Sequence, residues 1–133
     1  MTVTGSLPHL ILHELAKEES FNDISFVSGF ENITKPTPLT TPIVALSIKK
    51  CEISEAKENA SRDLTTTLSA DIYISHLKKG YTAHQIFDRL ASFLLFTNKF
   101  AVIKAECEGI RYDTATQAIT VHSYFVFTSN VTA

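Results

Sequence analysis

The sequence is poor in the residues that usually mark a catalytic or metal centre. It has only two cysteines, Cys51 and Cys107, whose spacing fits no metal-binding motif, and we expect both to be reduced in a cytosolic setting. Its four glycines are isolated, which excludes the glycine-rich loops that hold phosphate groups. Apolar runs such as residues 93–96 are far shorter than the roughly 20 residues that cross a bilayer. We also expect no secretion signal in the N-terminal residues.

The sequence also lacks an excess of charge of one sign. Twelve Lys and Arg residues stand against 14 Asp and Glu residues, the net charge is −2, and no basic block occurs. Phosphate-rich partners need concentrated positive charge, so neither sequence-specific nucleic-acid binding nor binding to a membrane is expected. With 133 residues, of which 44% are apolar, the chain has the composition of a single globular domain spanning residues 1–133.

The best-marked segment, residues 68–100, combines a strand, a turn and a helix. Residues 71–75 alternate between apolar and polar, and Gly80 interrupts the pattern. Thr82 stands three residues before Gln85, a spacing typical of a helix capping box. The following helix has an apolar stripe at helical spacing, made of Ala83, Ile86, Phe87, Leu90, Phe93 and Leu94. A stripe of this width predicts a helix that covers a sheet.

The remaining segments predict a mostly antiparallel sheet. We expect helices at 6–20 and 83–97, and strands at 24–30, 43–53, 64–77, 100–112 and 117–128. All strand connections are short except the one that contains the second helix. The predicted fold is therefore α+β, with about five strands and two helices packed on one face. The predicted order is helix, strand, strand, strand, helix, strand, strand.

The last predicted strand is apolar on both faces toward its end. Ile119, Val121, Ser123, Phe125 and Phe127 face one way, and Thr120, His122, Tyr124, Val126 and Thr128 face the other. A strand of this kind is either central in a covered sheet or buried by another subunit. Tyr124 is therefore a candidate protein-interface residue.

The most polar part of the chain, around residues 54–63, separates two long strands. This arrangement predicts an extended antiparallel hairpin with a protruding polar loop. The loop is either a solvated connection or an arm that contacts a partner, because loops on rigid ladders often carry binding. In the second interpretation Glu55, Lys57, Glu58 and Arg62 are candidate interface residues.

A second polar segment, at Arg111 and Tyr112, also has two interpretations. It is either a strand end with a solvated Arg and a half-buried Tyr, or an interface cluster, because Tyr and Arg are frequent in protein contacts. Asp113, the next residue, could pair with Asp71 as two carboxylates. A turn position for Asp113 and a strand position for Asp71 explain both residues without catalysis.

The histidines and cysteines do not combine into a recognised site. His9 and His13 are one helical turn apart, but a metal site needs further ligands. A cross-strand pair of Cys107 and His122 is conceivable, yet no nucleophile motif surrounds the cysteine. We therefore predict no catalytic residues, no metal, no cofactor and no enzymatic activity.

The order of the elements and several short motifs resemble a known protein family. The motifs are IVALSI at 43–48, ADIYI at 70–74, KGYT at 79–82, GIRYDTAT at 109–116 and ITV at 119–121. With the N-terminal amphipathic helix and the Pro-containing segment, they resemble the tail terminator (tail completion) proteins of long-tailed bacteriophages and prophages. The resemblance covers nearly the whole chain, and it includes no catalytic residue.

The resemblance implies a structural protein of the virion tail, assembled in the cytoplasm of the bacterial host. Copies would form a ring, expected to be a hexamer, on the head-proximal end of the tail tube. The ring would end tail polymerisation and present a surface to the head connector or stopper protein. Its partners would be other copies of the chain, the tail tube protein and the connector. A ring subunit is expected to carry more apolar surface than its own core can hide, which agrees with nine Phe residues.

Three alternatives are compatible with the same pattern. The first is another phage neck, head–tail connector or tail component. The second is a non-viral α+β module that binds a small molecule or peptide in a concave pocket. The third is an enzyme that uses the Cys or His residues. The oligomeric state separates the ring from the others most directly.

Overall fold

The computed structural model describes residues 7–28, 41–53, 61–97, 100–114 and 117–132. The helices are α1 (Leu7–Ala16), a short 3-10 helix (Glu19–Phe21) and α2 (Tyr81–Phe96). The strands are β1 (Ser25–Ser28), β2 (Ile43–Ile53), β3 (Ser61–Ser75), β4 (Val102–Asp113) and β5 (Ala118–Thr132). The chain order and the α+β fold class are as predicted.

The five strands form one sheet in the order β1-β2-β3-β5-β4. All neighbours are antiparallel except β1 and β2, which run parallel. A parallel pair needs a crossover of about a dozen residues, and residues 29–42 provide that length. The central strand β3 pairs with β2 on one side and with β5 on the other. No described helix is long and apolar enough to span a membrane.

Both helices pack on the same face of the sheet. In β3 and β5 the alternating side chains Leu68, Ile72, Val121 and Phe125 are fully buried against them. The predicted stripe of α2 is confirmed, because Ala83, Ile86, Leu90 and Leu94 are buried and Phe87 and Phe93 pack beside them. Ile11 and Leu15 of α1 complete the same core.

The last strand divides its side chains between two different environments. Phe125 and Phe127 lie in the chain's own core, and Phe125 stacks on Phe87 with ring centroids 5.5 Å apart. Tyr124 and Val126 lie on the face away from the helices and are half-buried. The two large Phe side chains therefore give no evidence for burial by another subunit.

Two predicted helix boundaries are wrong. Helix α1 ends at Ala16, and the residues up to Phe21 form a separate 3-10 turn. Helix α2 begins at Tyr81 with Gly80 as its N-cap, and no side chain caps it. Thr82 cannot cap because it is already inside the first turn, where its N–H donates to the carbonyl of Lys79.

Strands β2 and β3 form the predicted long hairpin. Their ladder runs from Ile43 opposite Tyr73 to Ile53 opposite Leu64, with one bulge between Ile48 and Lys50. Strand β5 continues beside β3 as far as its first residues, so three strands rather than two extend toward the loop. Residues 54–60 lie outside the described residues, and the predicted loop position 61–63 belongs to β3.

Candidate functional site

The face of the sheet opposite α1 and α2 contains a polar depression of about 450 Å³. Its lining comes from Ser47, Lys49, Ser69, Asp71, Glu108, Arg111, His122, Ser123 and Tyr124. Strands β2, β3, β5 and β4 all contribute. Alternate residues of a strand share one face of a sheet, as Ser47 and Lys49, Ser69 and Asp71, and His122 and Tyr124 do here. We call it the polar depression.

A hydrogen-bonded Asp–His pair lies in the polar depression. Asp71 and His122 are direct cross-strand partners, and Nδ1 of His122 lies 2.6 Å from Oδ1 of Asp71. The same oxygen accepts a hydrogen bond from the hydroxyl of Ser69 at 3.3 Å. An ionised carboxylate only accepts, so Nδ1 carries the hydrogen and Nε2 is the ring nitrogen that remains for another partner. The arrangement orients the imidazole.

This pair does not form a nucleophilic triad with Ser69 or Ser123. Ser69 donates to Asp71 rather than to the imidazole. Ser123 is adjacent to His122 in sequence, but its hydroxyl is buried and donates to the carbonyl of Ala70 at 2.7 Å. A triad requires a nucleophile whose proton passes to the imidazole, and neither hydroxyl meets that condition.

Tyr124 stands between charged side chains at the edge of the polar depression. Its ring lies 5.0 Å from Nζ of Lys49 and 6.0 Å from Nζ of Lys104, both measured to the centroid. Its hydroxyl donates to the carboxylate of Glu106. Arg111 is exposed, and its Nη2 lies 3.4 Å from Oε1 of Glu108. The predicted interface residues Arg111 and Tyr124 therefore share one polar surface, which suits a charged partner.

The conceivable pair of Cys107 and His122 is excluded by the register. Cys107 packs toward the helical core, whereas His122 lies on the opposite face. A different histidine, His84, lies near Cys107, because both side chains contact the carbonyl oxygen of Glu108. Nε2 of His84 lies 3.1 Å from this oxygen, and Sγ of Cys107 lies 3.6 Å from it.

The surroundings of Cys107 oppose its use as a nucleophile. Burial raises the pKa of its thiol, and the negative charges of Asp88 and Glu108 raise it further. A reactive cysteine needs the opposite, a positive environment that favours the thiolate. In the described part of the chain, no group of three His, Cys, Asp or Glu side chains could hold a metal ion. His9 and His13 are both exposed on α1.

The proposed carboxylate pair is also not formed. Asp71 is bonded to His122, and Asp113 lies at the end of β4. The phenol of Tyr73 is close enough to interact electrostatically with both carboxylates. Burial is the main cause that raises the pKa of Tyr73, and the charges of Asp71 and Asp113 add to it. The two carboxylates therefore act as separate charges near a half-buried phenol.

Large exposed apolar side chains gather at the two ends of α2. At its beginning lie Leu77, Tyr81, Ile110 and Tyr112, which we call the turn patch. Ile110 packs directly against Gly80, at the beginning of α2, because a Cβ at Gly80 would lie 2.6 Å from Cδ1 of Ile110. At the other end Leu95 and Phe96 are exposed, and we call them the helix-end patch; Ile103, near the start of β4, is exposed as well.

The exposure of these patches is large for apolar side chains. Leu77 is 74% exposed and Phe96 is 77% exposed. Sequence reasoning missed both patches apart from Tyr112, which is a predicted interface residue. Phe96 is the last residue of the continuous apolar run 93–96, so the sequence does not distinguish it from the buried residues of that run. Ile103 lies in a bulge between Val102 and Lys104, and no sequence signal marks this bulge. Single exposed apolar residues are ordinary in proteins, whereas large contiguous apolar patches mark contact surfaces.

The other predicted interface residues that the structure describes, Arg62 and Tyr112, lie far apart in the sheet. Tyr112 belongs to the turn patch, on the opposite face from Arg111. Arg62 is exposed near the beginning of β3, at the far end of the hairpin. Glu55, Lys57 and Glu58 lie outside the described residues. Among the candidates that the structure describes, it thus brings together Arg111 and Tyr124 but not Arg62 and Tyr112.

Comparison with known proteins adds no assignment. No protein-family model matches the chain, and no curated protein matches it.

Proposed function

We propose that this chain is a tail terminator of a long-tailed bacteriophage or prophage. Copies assemble into a ring, a hexamer as the sequence resemblance implies, on the head-proximal end of the tail tube. The ring ends tail polymerisation and offers a surface to the head connector or stopper protein. The protein has a structural role in the virion tail, assembles in the host cytoplasm, and uses no cofactor and no catalytic residue.

The observation that carries the proposal is the presence of two separate exposed apolar patches outside the core that the described residues form. The turn patch and the helix-end patch lie at opposite ends of α2, whose 16 residues span about 24 Å at 1.5 Å per residue. A subunit of a closed ring needs two different surfaces, one for each neighbour.

The edge of the sheet supports contact through side chains rather than through an added strand. Strand β4 is an edge strand, and bulges interrupt it between Val102 and Lys104 and between Cys107 and Ile110. Bulges and edge charges such as Lys104 and Glu106 prevent uncontrolled pairing of sheet edges. A ring that must stop at a fixed number of copies benefits from this protection.

The test is the mass of the assembly, measured by size-exclusion chromatography with light scattering over a range of concentrations. We expect a species of about six times the 14.7 kDa of one chain, and closed rings in electron micrographs. The second measurement adds the protein to tail tubes assembled from the tube protein of the same virus. Capping gives tubes that stop growing and carry one ring at an end.

The outcomes separate the proposal from its alternatives. A protein that is monomeric at all concentrations and leaves tube growth unchanged contradicts the proposal. A ring that binds the head connector but not the tube indicates a different neck component. Some rings close only on their template, so the capping measurement decides when the free protein is monomeric.

The polar depression favours a second function, that of a module binding a small anion or an acidic peptide. Lys49, Arg111 and His122 line it from three strands together with the carboxylates of Asp71 and Glu108, so an anion that binds Arg111 would displace Glu108 from it. A titration with phosphate and with an acidic peptide, followed by nuclear magnetic resonance, tests it. Saturable shifts at these residues that disappear in Arg111→Met support this function, and unsaturable shifts exclude it.

A further inference from the structure

We infer that an oxyanion in the polar depression binds together with one proton, which His122 takes up at Nε2. This inference rests on the second function proposed above, the binding of a small anion or an acidic peptide, and it names the group that regulates this binding. The site then holds an anion at mildly acidic pH and releases it as the pH rises. The hydrogen bonds and the charges around His122 support this coupling.

The hydrogen on Nδ1 determines what His122 can offer to a ligand. Nδ1 lies 2.6 Å from Oδ1 of Asp71, and an ionised carboxylate only accepts, so a neutral imidazole carries its hydrogen on Nδ1. Nε2 then has a lone pair and cannot donate to the oxygen of an anion. In the protonated ring both nitrogens donate, so Nε2 can bind an anionic oxygen while Nδ1 keeps its bond to Asp71. Binding of an anion through Nε2 therefore requires the uptake of one proton.

Asp71 completes a row of alternating charges when the ring is protonated. It is the cross-strand partner of His122, and its carboxylate also accepts a hydrogen bond from the hydroxyl of Ser69 at 3.3 Å. In the complex the negative charge of Asp71, the positive imidazolium and the negative ligand follow one another. Hydrogen bonds between charged groups are shorter and stronger than those between neutral groups. The imidazolium therefore bridges the carboxylate of the protein and the ligand.

The charges that line the polar depression balance each other while His122 is neutral. Lys49 and Arg111 carry positive charge, and Asp71 and Glu108 carry negative charge. Oε1 of Glu108 lies 3.4 Å from Nη2 of Arg111, so part of the positive charge is already paired. A lining of this composition does not attract an anion by its net charge. Protonation of His122 adds the positive charge that the described lining otherwise lacks.

The imidazole of His122 is the lining group whose charge changes near neutral pH. Lys and Arg stay positive, carboxylates stay negative and phenols stay neutral between about pH 6 and pH 8, whereas histidine ordinarily changes its charge there. The charged and titratable groups around His122 come from strands, because both helices pack on the other face. They are Lys49 on β2, Asp71 and Tyr73 on β3, Lys104, Glu106, Glu108 and Arg111 on β4, and Tyr124 on β5. A change in anion binding over this range is therefore assigned to the imidazole.

Sulfate is the probe for this coupling, because its own charge does not change between pH 6 and pH 8. Titrations at pH 6, 7 and 8 and at constant ionic strength are followed by nuclear magnetic resonance at the residues of the polar depression. We expect the dissociation constant to rise about tenfold from pH 7 to pH 8, the change that the uptake of one proton gives. Saturating sulfate should also keep the His122 ring protonated to higher pH, since linkage is reciprocal. An oligo-aspartate peptide titrated in parallel shows whether a free anion or an acidic segment binds more tightly.

Three variants assign the proton to its group. His122→Gln has a polar side chain that does not titrate, so its affinity for sulfate should be low and the same at all three pH values. Glu108→Gln frees Arg111 and should bind sulfate more tightly, but its affinity should still fall as the pH rises. His76→Gln, in the exposed turn after β3, is the matched control and should behave as the wild type. The His122 side chain is 41% exposed, so its replacement should leave the core intact, which circular dichroism checks.

The results separate this inference from the function on which it rests. Saturable sulfate binding that is lost in Arg111→Met but is equally tight at pH 6 and pH 8 overturns the proton uptake and leaves the anion site. A pH dependence that persists in His122→Gln, or that disappears in Glu108→Gln, assigns the proton to another group and also overturns the inference. If neither sulfate nor the peptide binds saturably at pH 6, the second function is excluded, and the inference with it.

Discussion

Arg89 of α2 forms a bidentate ion pair with Asp23, although 65 residues separate the two in the chain. Nη2 donates to Oδ1 at 3.0 Å and Nη1 donates to Oδ2 at 3.2 Å. The same guanidinium donates to the carbonyl of Ser20 and lies 5.3 Å from the centroid of Phe21. The Arg89 side chain therefore links α2 to the 3-10 helix and the turn that follow α1.

The ion pair predicts a specific dependence of stability on pH. The hydrogen bond from Arg89 is the main cause that lowers the pKa of Asp23 below its ordinary value of 3.8. A depressed pKa contributes stability above the unfolded value, and the contribution is lost as the pH falls through the folded value. Asp23→Asn should therefore lower the free energy of unfolding at pH 7 and make no difference below both pKa values.

The expected effect is small because Asp23 is 64% exposed. We expect about 0.5 kcal/mol at pH 7, the size usual for exposed pairs. Arg89→Met should cost more, about 1–2 kcal/mol, because it also removes the contacts with Ser20 and Phe21. Urea denaturation at pH 7 and pH 2.5 gives both quantities. An Asp23→Asn effect that persists unchanged at pH 2.5 contradicts the assignment to charge.

The sequence predicts elements where one periodicity dominates, and it fails where distant residues decide. The stripe of α2 is visible because its apolar residues recur every three or four positions, and the helix must bury that side. The start of α2 is not visible in the sequence. Thr82 and Gln85 fit a local capping motif, but the helix begins earlier, at Tyr81, with Gly80 as its N-cap. Periodicity carries no information about the Arg89–Asp23 pair, which exists only once the helix and the turn are packed.

The candidate surfaces were harder to predict than the fold. Arg111 and Tyr124 could be proposed from residue type, and their shared polar face follows from strand alternation. The turn patch could not be predicted, because it combines a turn residue, a helix residue and an edge strand. Its members become neighbours only through the contact of Gly80 with Ile110.

The two faces of β5 predict very different costs for adjacent residues. Phe125→Ala should destabilise the protein by about 3–5 kcal/mol, because Phe125 is fully buried and leaves a cavity against Phe87. Tyr124→Ala should cost about 1 kcal/mol or less, since Tyr124 is half-buried among charged side chains. Chemical denaturation at one fixed protein concentration measures both. Equal costs for the two residues would contradict the register of β5.

The two cysteines should differ in reactivity toward a disulfide reagent. Cys51 is exposed, whereas Cys107 packs against the core and its pKa is raised by burial and by neighbouring acidic groups. At pH 8 we expect Cys51 to react at least about tenfold faster, because only the exposed thiolate attacks. Cys51→Ser and Cys107→Ser variants assign the two phases. The difference should disappear in guanidinium chloride, and equal rates in the native protein would exclude burial as the cause.

Two hydroxyl groups on β5 should respond to removal with opposite sign. Thr120 is 6% exposed, and its Oγ1 is buried with no hydrogen-bond partner among the described residues, whereas the buried hydroxyl of Ser123 donates to Ala70. Thr120→Val keeps the shape and removes an unsatisfied polar atom, so it should stabilise the protein by about 1 kcal/mol. Ser123→Ala removes a made hydrogen bond and should destabilise it by about 1 kcal/mol. Thermal and urea denaturation of both variants test this, and a destabilising Thr120→Val would mean that this hydroxyl has a partner that stabilises the native protein.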